Sequence, residues 1–210
     1  MISRSIMAKD IQNILKTKFF PVGISIITND TQSWDASFLF IESGERFCYY
    51  VRQAAQGQKF VIREDSNLEC YTPFLCLGFV EPKYAEFEPR IKSPPTKAVL
   101  IAPIDRVDNP LDSIIFIVNA KQAMILVSSL RRLLGKKVEF NCGASMAVCG
   151  EIVAHTIVNQ TSNLSVLCGG ARIFSGYTDN ELILGIPANL LEKLYLELKK
   201  YEKLMDLRLN

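Results

Sequence analysis

Two apolar runs decide the fold, AVLIA at residues 98–102 and IIFIV at residues 114–118. Continuous runs of β-branched and aliphatic residues are typical of strands that are covered on both faces of a sheet. A helix is predicted directly after the second run, over Ala120–Leu134, and Gly135 is well placed to end it. The middle of the chain therefore predicts buried strands with helices packed against them.

Strands and helices alternate on both sides of this segment. An opening helix is predicted, with Ile6, Ile11, Ile14 and Leu15 on one face. Further helices are predicted at residues 47–56, at residues 144–158 and from Pro187 onward. Strands are predicted at residues 22–28, 36–42, 59–63, 138–140, 164–167 and 182–184. This alternation predicts an α/β (or α+β) fold: a single layered domain over residues 1–210 with a mixed β-sheet, in which the proline-rich loop at residues 81–96 is the one candidate linker.

Composition and charge exclude several classes of protein. Hydrophobic residues make up 49% of the 210 residues, and 24 basic against 22 acidic residues leave a net charge of only +2, so no nucleic-acid partner is expected. Residues 113–127 are apolar but are interrupted by Asn119, Lys121 and Gln122, so no membrane partner is expected either. No signal peptide is evident at the N-terminus, which predicts a cytoplasmic protein whose six cysteines are reduced thiols.

The two halves of the chain share a weak sequence similarity. Cys48 near one helix start is followed by the triplet at residues 66–68 and by Cys70, and Cys149 is followed by the same triplet, Ser-Asn-Leu, at residues 162–164 and by Cys168. Duplication and coincidence both account for such a short match.

The order and spacing of several short motifs resemble the uncharacterised prokaryotic family called domain of unknown function 169, an archaeal conserved region. The motifs are Pro21-Val22-Gly23-Ile24, Phe47-Cys48 with Arg52, Ala54, Ala55 and Gly57, Cys70 with Leu77-Gly78, residues 97–103, Asn119 with Gln122-Ala123-Met124, Cys149, residues 168–172, and Gly185-Ile186-Pro187. The resemblance covers about residues 21–199 and implies no activity. Near Cys70 the family pattern implies a glycine-rich stretch, and this chain has Tyr71-Thr72-Pro73-Phe74 instead.

Four cysteines fall on the family's pattern and form the candidate metal site: Cys48, Cys70, Cys149 and Cys168. Four thiolates are the ligands of a tetrahedral zinc ion or of an iron–sulfur cluster, because soft metals prefer sulfur donors. No C-x-x-C pair occurs, so only the tertiary fold can bring these cysteines together. Cys48 and Cys149 lie near predicted helix starts, where the helix dipole favours a thiolate.

Two further roles are open to the cysteines. A free cysteine often behaves as a small hydrophobic residue of the core, and a thiol with a depressed pKa is a reactive nucleophile.

A second candidate site, for binding of a cofactor, is the loop that holds Gly169, Gly170 and Arg172. Its backbone N–H groups and guanidinium suit an anionic ligand, although a plain turn with a surface arginine accounts for the same residues. His155, the one histidine of the chain, pairs with Glu151 at helical spacing, either for acid–base work or as an ordinary surface pair.

Two functions of different classes are therefore expected. The first is a binding protein with a cysteine-lined site for a metal ion, an iron–sulfur cluster or a small molecule, and the second is a thiol- or metal-dependent redox enzyme. A structural or protein-interaction domain with inert buried cysteines is a further alternative. The sequence does not give the oligomeric state.

Overall fold

The computed structural model describes residues 2–29, 31–81, 89–92 and 95–209, with side chains in the last helix as far as Lys203. The strands are β1 (Val22–Ile27), β2 (Leu39–Phe40), β3 (Ser43–Gly44), β4 (Phe60–Arg63), β5 (Asn67–Leu68), β6 (Ala98–Pro103), β7 (Ser113–Val118), β8 (Asn163–Ser165) and β9 (Leu182–Pro187). The helices are α1 (Arg4–Leu15), α2 (Phe47–Ala54), α3 (Thr72–Cys76), α4 (Ala120–Leu134), a π-helix (Ala147–Ala154), α5 (His155–Asn159), α6 (Gly169–Phe174), a 3₁₀ turn (Ala188–Leu190) and α7 (Leu191–Leu209).

Seven strands form one mixed sheet in the order β2-β4-β6-β1-β7-β9-β8. Every neighbouring pair is antiparallel except β2 with β4, and the short strands β3 and β5 form a separate parallel pair. The predicted α/β fold with a mixed sheet is confirmed.

The two apolar runs form β6 and β7, which lie on either side of β1 in this sheet, and all six residues of both strands are buried. Because successive side chains of a strand point to opposite faces, β7 serves two cores at once. Ile115 and Ile117 pack with α2, α3 and the π-helix, whereas Ile114 and Phe116 pack with α1, α4 and α7. A strand with helices on both faces has no solvent-facing side, and this is why its sequence is apolar throughout.

Apart from the edge strand β2, the sheet divides between β1 and β7 into two strand triplets of the same topology. The first consists of β1, β4 and β6, with α2 before β4 and α3 before β6, and the second consists of β7, β8 and β9, with the π-helix and α5 before β8 and α6 before β9. In both, the third strand lies between the first two and is antiparallel to each. The sequence Ser-Asn-Leu, which occurs twice, does not lie at equivalent places in the two strand triplets. Residues 67–68 form β5, whereas residues 163–164 begin β8. Duplication of the chain therefore stays a prediction.

Helix α4 has the predicted bounds, and the family motif around Asn119 explains how it begins. Asn119 and Gln122 form a capping box, each accepting a hydrogen bond from the other's backbone N–H. The Gln122 amide also donates to the carbonyl of Leu15 at 3.0 Å, which fastens the end of α1 to the start of α4. Gly135 ends α4 in the left-handed region, at φ +66°.

Four predicted elements differ in the structure. The helix predicted over residues 144–158 begins only at Ala147 and is a π-helix as far as Ala154, because Ala144 and Met146 have positive φ values. Residues 138–140 are not a strand, and the residue that follows them, Asn141, is bonded through both its N–H and its C=O to the side chain of Asn163. Pro187 ends β9, and the final helix begins only at Leu191. The predicted loop around Gly169 is the helix α6.

The proline-rich loop at residues 81–96 lies partly outside the described residues, which omit 82–88 and 93–94. The single domain expected for residues 1–210 stays a prediction. In the part of the chain that the structure describes, no helix combines the length and the apolar character that crossing a membrane requires.

We predict that Gly185→Ala destabilises the fold by roughly 1–3 kcal/mol, because added volume in a packed core forces its neighbours apart. A Cβ at Gly185 would lie 2.5 Å from Cγ2 of Ile152 in the π-helix and 3.1 Å from Cγ2 of Thr156. Urea unfolding measures the change, and Gly169→Ala is the control, since a Cβ there meets nothing within 4 Å. Equal stability of the two variants would contradict the close packing of β9 against the π-helix.

Candidate functional site

All four predicted cysteines line one cavity of about 190 Å³. They come from four separate places in the sequence, and the fold brings them together beside the first turns of the helices that cover one face of the sheet. The remaining lining residues are Arg46, Phe47, Thr72, Pro73, Ser145, Met146, Ala147, Val148 and Gly170. We call this cavity the cysteine pocket.

Each triplet of the sheet contributes two cysteines from corresponding places. Cys48 is the second residue of α2, and Cys149 is the third residue of the π-helix. Cys70 lies two residues before α3, and Cys168 directly precedes α6 as its N-cap. The predicted helix-start positions of Cys48 and Cys149 are confirmed.

Hydroxyl groups connect the thiols of the pocket. Oγ1 of Thr72 lies 3.1 Å from Sγ of Cys70 and 3.6 Å from Sγ of Cys149, so one hydroxyl bridges a cysteine of each triplet. Sγ of Cys48 lies 3.1 Å from Oγ of Ser175. Thr72 belongs to the segment where the family pattern implied glycines, and there this chain supplies a hydroxyl to the pocket.

The surroundings of Cys48 and Cys149 raise the pKa of both thiols, against the expectation that helix starts favour thiolates there. Burial raises the pKa of Cys48 to about 12, the hydrogen bond with Ser175 opposes this, and the neighbouring thiols Cys168, Cys149 and Cys70 raise it further. The pKa of Cys149 is raised well above its usual value by its hydrogen bond with Cys76 and by burial. Loss of hydration at Cys48, and the Cys76 contact together with burial at Cys149, oppose the thiolate that the helix dipole favours.

The four sulfurs surround a cavity and do not converge on one point. Among the described residues, no three His, Cys, Asp or Glu side chains are grouped so that they would hold a metal ion. A zinc ion needs all its sulfur ligands about 2.3 Å from one centre. The side chains as they lie therefore do not form a site for a single ion.

The backbone around the cysteine pocket is strained. Ala144, Met146 and Leu167 have φ values of +53°, +47° and +71°, in the left-handed region that favours glycine. The adjoining π-helix is an uncommon conformation that occurs often at functional sites. Such backbone costs free energy, so it marks a place where the surrounding structure holds an unfavourable shape.

Glu151 of the π-helix holds one strained segment in place. Its buried carboxylate accepts hydrogen bonds from the backbone N–H of Gly143 at 2.7 Å, from the N–H of Ser145 at 3.2 Å, and from the Ser165 hydroxyl. These bonds fix the turn that carries Ser145 and Met146 into the wall of the pocket. Glu151 therefore does not pair with His155.

His155 lies on the protein surface away from the pocket. Its Nε2 is 2.9 Å from Oγ1 of Thr161, its Nδ1 is 3.2 Å from the Asn159 amide, and burial lowers its pKa. The predicted Glu151–His155 pair is not formed, because the Glu151 carboxylate bonds to the turn at residues 143–145 instead.

The structure separates the three residues of the second candidate site. Gly170 lines the cysteine pocket, whereas Gly169 does not. The Arg172 guanidinium donates to the carbonyl oxygens of Thr178, Val166 and Glu181, and these bonds tie α6 to the start of β9. The predicted anion site at Gly169, Gly170 and Arg172 stays a prediction, and its guanidinium is already engaged with the backbone.

Arg46, which the sequence did not single out, is the charged residue of the pocket wall. Its guanidinium carbon lies 4.5 Å from the centre of the Phe174 ring, and its buried Nε has no hydrogen-bond partner in the described structure. A Cβ at Gly170 would lie 3.2 Å from Nη1 of Arg46 and 3.8 Å from Sγ of Cys168. The only sequence signal for Arg46 was its place two residues before Cys48.

The family model described as DUF169, uncharacterised ArCR, matches residues 82–196. The chain belongs to this family. The matched range includes Cys149 and Cys168, and Cys48 and Cys70 precede it. Uncharacterised protein MJ0308 of Methanocaldococcus jannaschii is 26% identical over 95 residues, which cover 45% of this chain and 41% of that protein. No solved structure matches the chain.

We predict that alkylation by iodoacetamide at neutral pH follows exposure and pKa. Cys142 is exposed and should react first, Cys70 and Cys168 are half-buried and should follow, and Cys48 should stay unmodified until the protein unfolds. Peptide mass spectrometry at successive times measures the order. Modification of Cys48 as fast as of Cys142 would show that its thiol is a nucleophilic thiolate.

Proposed function

We propose that this protein binds an iron–sulfur cluster in the cysteine pocket, with Cys48, Cys70, Cys149 and Cys168 as ligands. The observation that supports the proposal is that these four thiols, far apart in sequence, line a single cavity. Four cysteine thiolates are the ligand set of both [2Fe–2S] and [4Fe–4S] clusters.

The arrangement of the sulfurs favours a cluster over a single ion. A cluster distributes its iron atoms over a volume, so its ligands stand around a cavity, whereas the ligands of one ion meet at a point. The cavity of about 190 Å³ is also smaller than the roughly 300–1,000 Å³ of sites for drug-sized molecules, which favours a compact occupant.

The alternatives account for fewer of these features. Core thiols would account for the burial of Cys48 and Cys149, but they give no reason for a cavity between four cysteines or for strained backbone around it. A thiol-dependent redox enzyme needs a thiolate nucleophile, and the raised pKa values of Cys48 and Cys149 oppose one at those positions.

On this proposal the protein's residues have distinct tasks. The four thiols lose their protons on ligation, because the thiolate is the form that binds metal. Thr72 and Ser175 donate hydroxyl hydrogen bonds to bound sulfur, and such bonds adjust a cluster's reduction potential. A reducing compartment such as the cytoplasm would suit a site of this kind.

The test is anaerobic reconstitution of the purified chain with ferrous iron and sulfide. We expect the visible absorbance of an iron–sulfur cluster, with iron and sulfide bound in stoichiometric amounts. Replacement of any one of the four pocket cysteines by serine should reduce the bound iron several-fold. Cys142→Ser is the matched control, because Cys142 is exposed and does not line the pocket.

The outcomes separate the proposals clearly. A colourless protein without iron after reconstitution would overturn the cluster proposal. Equal iron in Cys142→Ser and in the four pocket variants would show that the iron is bound elsewhere. Retention of iron without sulfide would indicate a mononuclear site formed by rearrangement of the thiols.

A further inference from the structure

The two strand triplets contribute two cysteines each to the cysteine pocket, but the polar groups that they contribute to it differ. Two residues after Cys70 stands Thr72, and two residues after Cys168 stands Gly170. Two residues before Cys48 stands Arg46, and two residues before Cys149 stands Ala147. The pocket therefore has a hydroxyl beside Cys70 and Cys149 and a guanidinium beside Cys168.

Arg46 is the one charged residue among those that line the pocket, all of which are described, and the lining holds no carboxylate. The guanidinium lies against the Phe174 ring, and such stacking limits its orientations. No hydrogen bond within the described structure uses its Nε, although that atom is buried. A buried donor without a partner is uncommon in folded proteins, so the structure holds this guanidinium in place at a cost in free energy.

The absence of a side chain at Gly170 leaves room for this arrangement. The Cβ of any other residue would lie 3.2 Å from Nη1 of Arg46, closer than most Cβ contacts, and so would push the guanidinium away. A glycine is not needed here for its backbone angles, since Gly170 is not among the residues with positive φ. Its role in the pocket is to admit Arg46 beside Cys168.

We propose that the occupant of the cysteine pocket is anionic and that Arg46 is the group that recognises its charge, through its guanidinium. This inference rests on the proposed function for the identity of the occupant, because a cluster held by four thiolates carries negative charge. The recognition of an anion by Arg46 is nevertheless a property of the unloaded protein and is testable without a cluster.

The test is a competition between two alkylating reagents of similar size, anionic iodoacetate and neutral iodoacetamide. Both react with the same thiolate of Cys168, forming a carbon–sulfur bond and releasing iodide, so their ratio of products does not depend on how much thiolate is present. We expect Arg46→Gln to lower the iodoacetate-to-iodoacetamide ratio at Cys168 about fivefold, the effect of one unit charge about 4 Å away in water. Peptide mass spectrometry measures the ratio.

Several controls are available in the same chain. Arg46→Lys should keep most of the preference for iodoacetate, whereas Gly170→Ala should lose part of it with the charge still present. Arg106→Gln removes a positive charge from a different surface, where Arg106 donates to the carbonyl of Gly57, and it should leave the ratio unchanged. Cys142 is exposed, lies outside the pocket lining and provides an internal reference in every sample.

An unchanged ratio at Cys168 in Arg46→Gln would overturn the inference. Failure of both Cys168 and Cys70 to react with either reagent would overturn it too, since an anion that does not reach these half-buried thiols is not recognised by the pocket. If the ratio depends on Arg46 but the protein does not take up iron, the result would support the anion site and reject the cluster proposal.

A second measurement applies to the reconstituted protein. Removal of a positive charge beside a cluster disfavours the added electron, so the midpoint potential of Arg46→Gln should be more negative than that of wild type. Arg106→Gln should have the wild-type potential. Equal potentials in wild type and Arg46→Gln, with both loaded, would contradict a direct contact between Arg46 and the occupant.

Discussion

The antiparallel pairing of β1 with β7 is the constraint on which the rest of the structure depends. Only three residue pairs form this ladder, from Val22 with Ile115 to Ile24 with Ser113. Asp112 strengthens it, since its backbone N–H donates to the carbonyl of Ile24 at 2.8 Å and its carboxylate accepts from the N–H of Ile26 at 2.7 Å. A slip of one residue would turn every side chain of β7 to the opposite face and exchange its two cores. The register of this short pair therefore fixes how the two triplets, and their cysteines, meet.

The cysteine pocket combines features that oppose stability. Burial raises the pKa of the Cys48 thiol, a left-handed residue other than glycine, Met146, lies in the pocket wall, and one buried guanidinium nitrogen lacks a partner within the described residues. The surrounding packing tolerates this cost, because the π-helix is buried along its whole length and Glu151 anchors the adjoining turn. Concentrated strain beside a cavity is more typical of a binding site than of a passive core.

Much of the fold was predictable because local chemistry and tertiary packing agree. The terminal glycine Gly135 indicated where helix α4 ends, and uniformly apolar sequences indicated β6 and β7. The predictions at residues 138–140 and at Pro187 were wrong, since the first segment takes no part in the sheet and Pro187 pairs with Ser113 at the end of β9. The short elements β3, β5 and α3 have too few residues to show a periodicity.

By itself, the sequence determined the α/β class, the main helices and strands, the family, and the four cysteines of the candidate site. Only the tertiary structure decided that these four line one cavity, because residues separated by up to 120 positions, from Cys48 to Cys168, meet through the order of strands and not through local spacing. It also decided the direction in which the pKa of Cys48 moves, since burial and the neighbouring thiols raise it. The tertiary structure likewise decided that Arg46 lies in the pocket wall, because residues from other parts of the chain form the rest of that wall.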